Sequence, residues 1–320
     1  MMERYLESSN ENVNRVIIGA LQQEGGSRTS QVIIGGQNTL PFYLWSGSAP
    51  NPPALALEIA DRPWPETSPE LERVCGEVWQ DPVSWAKKAV AEWGAQILCL
   101  RLISTHPDQL DASPQEAAQT VKKVLAAVGV PLIVKGPGVP DKDAAVLAAV
   151  AEAARGENLL LGGAGQENYR KIAEPALKHG HCLIAESPID INLAKQINIL
   201  ISDTGFPLER IVMDPTTGGL GYGLEYTYSI MERARLAALS GDKTLALPFI
   251  SFIGFESWRS KEAKTQIPGL GDLSRLSVNW ETCGATSMLL AGADLLALWH
   301  PQSLKNLQTT IDKFSAKPEL

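Results

Sequence analysis

The sequence predicts an α/β fold: a (β/α)8 TIM barrel with an N-terminal β-hairpin extension. Three observations predict it. Eight short apolar runs, starting at residue 54, each precede a helical pattern. The runs are continuous rather than alternating, as expected of strands buried on both faces of a parallel sheet. Eight such units suit a closed barrel, and no G-x-G-x-x-G follows the first run, which weighs against an open doubly wound sheet.

Each element has its own local signal. Residues 13–20 and 31–35 are β-type runs separated by Gly25, Gly26 and Ser27, which predicts a hairpin. Residues 37–53 form a loop rich in aromatics and prolines, too long for a plain connector. The expected division is therefore an extension, residues 1–53, packed on a barrel, residues 54–320. Residues 54–61 are the first barrel strand. Asp81 before Pro82 opens a helix reaching about Gly94, because an Asp cap accepts from free amides and Pro fits the first turn. Residues 96–103 are the second strand. Ser113 with Glu116 reads as a capping box for a helix ending at Gly129. Strands at 131–135, 158–161, 181–186 and 210–214 alternate with helices at 141–155, 167–179, 191–203 and 224–239. A seventh strand at 247–253 precedes an irregular insertion, 255–278, and a helix, 280–291. Residues 294–299 are the eighth strand and 302–314 the closing helix, with a frayed tail at 316–320.

Composition bounds the partners. The 320 residues are 44% apolar and 20% charged, enough to bury a large core. The formal charge of −8 argues against a phosphate-backbone role and suits protein or small-molecule partners. No apolar run is long enough for a membrane helix, and the polar start lacks the pattern of a secretion signal. The four cysteines, Cys75, Cys99, Cys182 and Cys283, lie far apart without a C-x-x-C pair, so neither a disulfide framework nor an iron–sulfur cluster is expected on this chain. The expected location is the cytoplasm, with no nucleic-acid or membrane partner.

In a β/α barrel the working face lies at the C-terminal ends of the strands. That rule collects Arg101, Ser104 and His106 after strand two, and Lys135, Gly136, Pro137 and Gly138 after strand three. It adds residues 162–168, beginning Gly162 and Gly163, after strand four, and Glu186, Ser187 and Asp190 after strand five. Asp214, Thr216, Thr217, Gly218, Gly219 and Tyr222 follow strand six, Gly254 and Glu256 strand seven, and His300 strand eight. This set is rich in glycine, which lets backbone approach a large flat ligand or another protein closely. It shows no nucleophile with an adjacent base, so cradling is expected rather than chemistry. The bland reading of each glycine is a turn or cap. His179 and His181 fall on the opposite, stability face and read as structural, and His106 and His300 have no companion ligand nearby, so no metal site is expected. Phe42, Tyr43, Leu44, Trp45 and Trp258 either anchor an interface or pack over the barrel ends.

Several of these stretches resemble one family. Residues 35–42, the Pro50–Asn51–Pro52–Pro53 run into the first strand, residues 134–138, 159–168, 214–223 and 289–301 are similar to the small (delta) subunit of the corrinoid iron–sulfur protein of the acetyl-CoA synthase/CO dehydrogenase system. The resemblance covers nearly the whole chain. It implies a non-catalytic subunit of a heterodimeric methyl carrier in the reductive acetyl-CoA (Wood–Ljungdahl) route of carbon fixation. The large-subunit partner would carry the [4Fe–4S] cluster and a corrinoid domain, and the corrinoid (cobalamin) would lie at the interface over this barrel's mouth. Its cobalt would alternate between Co(I), which accepts a methyl group, and methyl-Co(III), which delivers it. Methyltetrahydrofolate methyltransferase, acetyl-CoA synthase and a reductive activator protein are the implied further partners. The corrinoid-facing residues expected from strand-end position are Gly136, Gly138, Gly162, Gly163, Asp190, Thr216, Thr217, Gly218, Gly219, Tyr222 and Gly254, with no catalytic residue and no metal ligand on this chain.

The barrel also resembles the pterin-dependent methyltransferases, which makes an active methyltetrahydrofolate-binding barrel the alternative. Asp214 matches one pterin-contacting position there, with Glu186 or Asp190 as proton partner. The Asp-x-Asn of that family is absent: strand two has Leu100, Arg101, Leu102 and Ile103, and Ile253, Gly254 and Phe255 supply no asparagine after strand seven. A third option uses Lys135 as a Schiff-base amine, but no neighbour in the sequence would lower its pKa.

Overall fold

The computed structural model describes residues 9–65 and 67–316. The hairpin pairs β1 (Arg15–Ile18) with β2 (Val32–Gly35) antiparallel, Arg15 opposite Gly35 and Ile18 opposite Val32. Side chains alternate across a strand. Accordingly Val16 and Ile18 are buried while Ile17 faces solvent. Val16, Ile18 and Ile34 join one apolar cluster with Ile97, Ile133, Leu160 and Cys182, the residues at the N-terminal ends of barrel strands. The hairpin is thus a plug in the barrel's lower opening. Backbone bonds fasten it: Gly19 N–H donates to the Asn158 carbonyl (2.8 Å) and Asn14 N–H to that of Ala246 (2.7 Å).

The barrel strands are β3 (Ala54–Ala60), β4 (Leu98–Arg101), β5 (Leu132–Lys135), β6 (Leu160–Ala164), β7 (Cys182–Glu186), β8 (Ile211–Asp214), β9 (Ile250–Ser251) and β10 (Leu295–Leu298). Every pairing among them is parallel, in the order β8-β7-β6-β5-β4-β3-β10-β9. A bridge between Met213 and Phe249 closes the ring, with Met213 N–H donating to the Pro248 carbonyl at 2.8 Å.

Helices α1 (Pro69–Cys75), α2 (Pro82–Ala91), α3 (Pro114–Ala127), α4 (Pro140–Ala153), α5 (Tyr169–His179), α6 (Ile191–Ser202), α7 (Leu224–Leu239), α8 (Ile253–Arg259), α9 (Leu273–Ala291) and α10 (Pro301–Ser315) surround or cap the ring. The expected caps form. Asp81 accepts from Val83 and Ser84 N–H, and Ser113 with Glu116 closes a capping box. No described helix is long and apolar enough to cross a membrane.

Four features differ from the expected elements. Between β3 and the Asp81-capped helix, where no element was expected, lies α1, because Ser68 accepts from Leu71 N–H and Pro69 fits the first turn. Strand four does not stop at residue 161. Gly162 and Gly163 belong to β6, since a Cβ on Gly162 would lie 2.6 Å from Ile184 Cδ1 and only glycine lets the two strands pack there. Strand seven shrinks to two residues. Pro248 has no N–H for a ladder, and Phe252 N–H turns to Thr217 Oγ1 (3.1 Å) before α8 begins. The insertion then resolves into α8 and an early start of α9, whose first turn is capped by Asp272.

Candidate functional site

The last residues of consecutive parallel strands converge at the barrel mouth. Register places Arg101 beside Lys135 and Glu186 beside Asp214. Lys135 Nζ donates to Glu186 and lies 3.8 Å from Asp214 Oδ2. Beneath them Arg101 forms a two-point pair with the fully buried Glu58, at 2.5 and 3.1 Å. These four strand ends and Glu58 make a charge network at the floor of a cavity of about 510 Å3.

Each charge responds to its neighbours. Burial works against the Lys135 ammonium, but Glu186 and Asp214 outweigh it and its pKa rises. Burial likewise opposes the Arg101 guanidinium, and Glu58 more than offsets it. The Lys135 charge, against burial, holds the Glu186 carboxyl below its usual range. Asp214 behaves oppositely: burial pushes it up to about 7 despite Lys135. Asp143, whose carboxylate accepts from Gly138 N–H at 3.1 Å, is pushed by burial to about 6.

The opposite wall is aromatic. Trp64 and Trp299 stack with centroids 3.8 Å apart, and Phe255 lies between the guanidiniums of Arg101 and Arg259, each 4.6 Å from its ring. Lys135 Nζ sits 4.5 Å from the Phe252 ring centroid, a further attraction for the cation. Thr216, at φ 63°, takes a backbone conformation that β-branched residues rarely adopt. Its N–H bonds Asp214 and its hydroxyl the Ser187 carbonyl, which hold the turn.

The structure brings together only part of the expected set. Gly136, Gly138, Gly163, Thr216 and Thr217 line the cavity. Two of these glycines serve the network, since a Cβ on Gly136 would lie 2.0 Å from Asp143 Oδ1 and one on Gly163 1.9 Å from Glu186 Oε2. Gly162 points into the core against Ile184, and Gly254 packs on Trp299 and Glu281. Asp190 caps α6 by accepting from Asn192 and Leu193 N–H. Gly218 abuts the Gly223 backbone, while Gly219 and the exposed Tyr222 stand on the outer loop.

Arg101, Lys135 and Glu186, expected on the working face but not among the ligand-facing residues, converge there with Glu58 and Asp143, which the sequence reading did not single out. The signal was present in Lys135, Glu186 and Asp214, each the charged last residue of an apolar strand. Asp143 and Glu58 gave none, being inside a helix and a strand. Lys135 is also no amine poised for a Schiff base, because its carboxylate neighbours hold it charged. Among the described residues no group of three or more His, Cys, Asp and Glu could hold a metal. His181 accepts from Leu159 N–H and contacts the Ala151 carbonyl, a packing role on the lower face. His300 caps α10 and meets Glu70 at 3.3 Å. Trp258 is core, stacked on His300, whereas Tyr43 and Trp45 are exposed.

Fold and mouth together define a closed β/α barrel with a paired charge network beneath an open rim. Solved structures share that architecture: dihydropteroate synthase of Xanthomonas albilineans aligns with a TM-score of 0.57 at 15% identity, over 85% of this chain and 96% of the other. The Thermus thermophilus enzyme gives 0.52 at 18% identity, over 82% and 94%. Sequence comparison is more specific. Residues 15–302 match the family described as CO dehydrogenase/acetyl-CoA synthase delta subunit, and the chain belongs to it. The acetyl-CoA decarbonylase/synthase complex subunit delta of Methanopyrus kandleri is 37% identical over 92% of this chain and 73% of its own length. That of Methanothermobacter thermautotrophicus is 39% identical over 91% and 74%.

Proposed function

We propose that this delta subunit is the non-catalytic small subunit of a methyl-carrying heterodimer, and that its barrel mouth covers a corrinoid held by the large subunit. The observation that supports this most is the pairing of the floor charges. Lys135 is taken up by Glu186 and Asp214, and Arg101 by Glu58. A network so engaged is a poor source of a nucleophile or free base, and a suitable base for a surface that binds.

The fit to a corrinoid is that of a cover. A volume of about 510 Å3 encloses a drug-sized molecule, and a corrin ring with its side arms exceeds it. The macrocycle would rest on the rim, where Gly138 and Gly221 leave open space and Tyr222 stands exposed. When bound, the corrinoid supplies the cobalt chemistry of methyl transfer. This chain's residues orient it and exclude water from one face. Methyltetrahydrofolate methyltransferase, acetyl-CoA synthase and a reductive activator would meet the assembled pair, whose [4Fe–4S] cluster sits on the large subunit, in the cytoplasm.

Co-expression with the large subunit tests this by size exclusion and corrinoid absorbance. A corrinoid-bearing heterodimer is expected; a monomer indifferent to the large subunit contradicts the reading. The second reading, a pterin-binding methyltransferase barrel, is favoured by one feature: a buried Asp214 that titrates near neutrality beside Lys135. Micromolar binding of methyltetrahydrofolate by the isolated chain would support that alternative.

A further inference from the structure

Two carboxylates share one ammonium at the floor of the mouth. Lys135 Nζ donates to Glu186 and lies 3.8 Å from Asp214 Oδ2. The three groups differ in their access to water. The Lys135 and Asp214 side chains are 10% and 5% exposed, whereas that of Glu186 is 41% exposed and opens to the cavity. The other charged and titratable groups of the cavity have partners of their own. Arg101, from β4, is held by Glu58. Glu256 and Arg259, both on α8, face each other at 4.0 Å. Asp143, on α4, accepts from Gly138 N–H, and His106, after β4, accepts from Asp108 N–H at 3.0 Å. Among the described residues no other charged group lines the cavity.

Lys135 neutralises one carboxylate. The second is kept ionised by water, which reaches the cluster through Glu186. A large flat body over the mouth removes that water. Charges then interact more strongly, and each ionised carboxylate pays a larger desolvation cost. Repulsion between Glu186 and Asp214 and the loss of water act together against the second negative charge. No cation of the cavity is free to offset it, because Arg101 and Arg259 already face Glu58 and Glu256. The charge is relieved most readily by a proton on the more buried carboxylate. Asp214 already stands at the edge of ionisation, pushed up to about 7 by burial, whereas Lys135 holds Glu186 below its usual range.

We propose that covering the mouth is coupled to uptake of a proton by Asp214, so that the Lys135–Glu186–Asp214 cluster keeps one negative charge against its one positive charge when its water is displaced. This rests on the corrinoid reading, in which the covering body is the corrinoid-loaded large subunit, and adds a pH control to it. The sign follows from linkage. A carboxyl that holds its proton more tightly in the complex favours association at low pH, and association weakens as pH rises through the free value of about 7. Below about pH 6 Asp214 is protonated in the free chain as well, and its contribution to the pH dependence ends.

Isothermal titration of the whole chain with the corrinoid-loaded large subunit, at about pH 7.5 in phosphate and in Tris, counts the protons, because the two buffers differ in their heat of ionisation. An uptake of about 0.7 proton is expected, the ionised share of Asp214 in the free chain at that pH. The Kd should rise about fivefold from about pH 7 to about pH 8. Asp214→Asn, which cannot titrate, should bring the uptake below about 0.2 proton. Glu186→Gln should do the same by another route: Lys135 then has one carboxylate to neutralise, and Asp214 stays ionised in the free and the covered chain. Wild-type association without proton uptake, or uptake that persists in either variant, overturns the coupling and leaves the corrinoid reading standing. A chain that does not associate with the loaded large subunit at any pH overturns both.

Discussion

Removing the Lys135 ammonium perturbs the network at its centre. In Lys135→Met the stem is kept and the charge lost, so Glu186 and Asp214 face each other with only Arg101, already held by Glu58, nearby. Breaking a buried pair by deleting one partner costs about 3–5 kcal/mol. The structure adds a pH signature. Asp214, pushed up to about 7 in the folded chain against 3.8 unfolded, binds a proton in the native state between those values. Across that window stability falls as pH rises, and above about 7 the wild-type slope ends because the group is ionised in both states. Without Lys135 the native Asp214 keeps its proton to higher pH, so the variant goes on losing about 1.4 kcal/mol for each further unit. The destabilisation should therefore be about 1.4 kcal/mol larger at pH 8 than at pH 6. For a chain of 320 residues a loss of 3–5 kcal/mol lowers Tm by about 4–7 °C. Urea unfolding at both pH values, followed by tryptophan fluorescence, measures it. Adding Asp214→Asn should restore at least about 1 kcal/mol at pH 8. Equal costs at the two pH values, or no cost, would refute this electrostatic account of the mouth.

Other parts of the molecule give independent expectations. Glu281 is fully buried, accepts from Trp299 and His300 N–H, and is pushed by burial to about 7 against 4.5. Stability should thus decline as pH rises from about 5 to 7, and Glu281→Gln, which keeps an acceptor but cannot titrate, should flatten that decline in calorimetric scans. Ile18→Ala in the plug should cost about 2–5 kcal/mol by urea denaturation, as for a fully buried side chain deleted from a core. Gly162→Ala should cost about 1–3 kcal/mol, because the new methyl meets Ile184 at 2.6 Å. Tyr222→Ala, at a residue 92% exposed, should change stability by less than about 0.5 kcal/mol yet weaken association with the large subunit in a binding titration.

The barrel was legible because buried parallel strands leave continuous apolar runs, and because Asp81 and Ser113 mark helix starts in a few residues. What was illegible depended on neighbours distant in sequence. Nothing local shows that Gly162 and Gly163 continue a strand; the reason is Ile184 and Glu186 on the adjacent one. Strand seven reads as seven residues, but Phe252 spends its N–H on Thr217. The rule that strand ends carry function locates the mouth, and Gly136 and Gly163 there also have a structural use. Their absent side chains make room for Asp143 and Glu186, and those carboxylates with Lys135 define the cavity. Glu58 sits inside an apolar strand, and only the register that sets β3 against β4 reveals its pairing with Arg101.

The most direct measurement is amide hydrogen exchange on the chain alone and in complex with the corrinoid-loaded large subunit. Slowed exchange concentrated at residues 135–138, 187–190 and 215–223 is the predicted result. Protection confined to the hairpin end, with the strand-end loops exchanging as in the free chain, would contradict a role for this mouth as a cover.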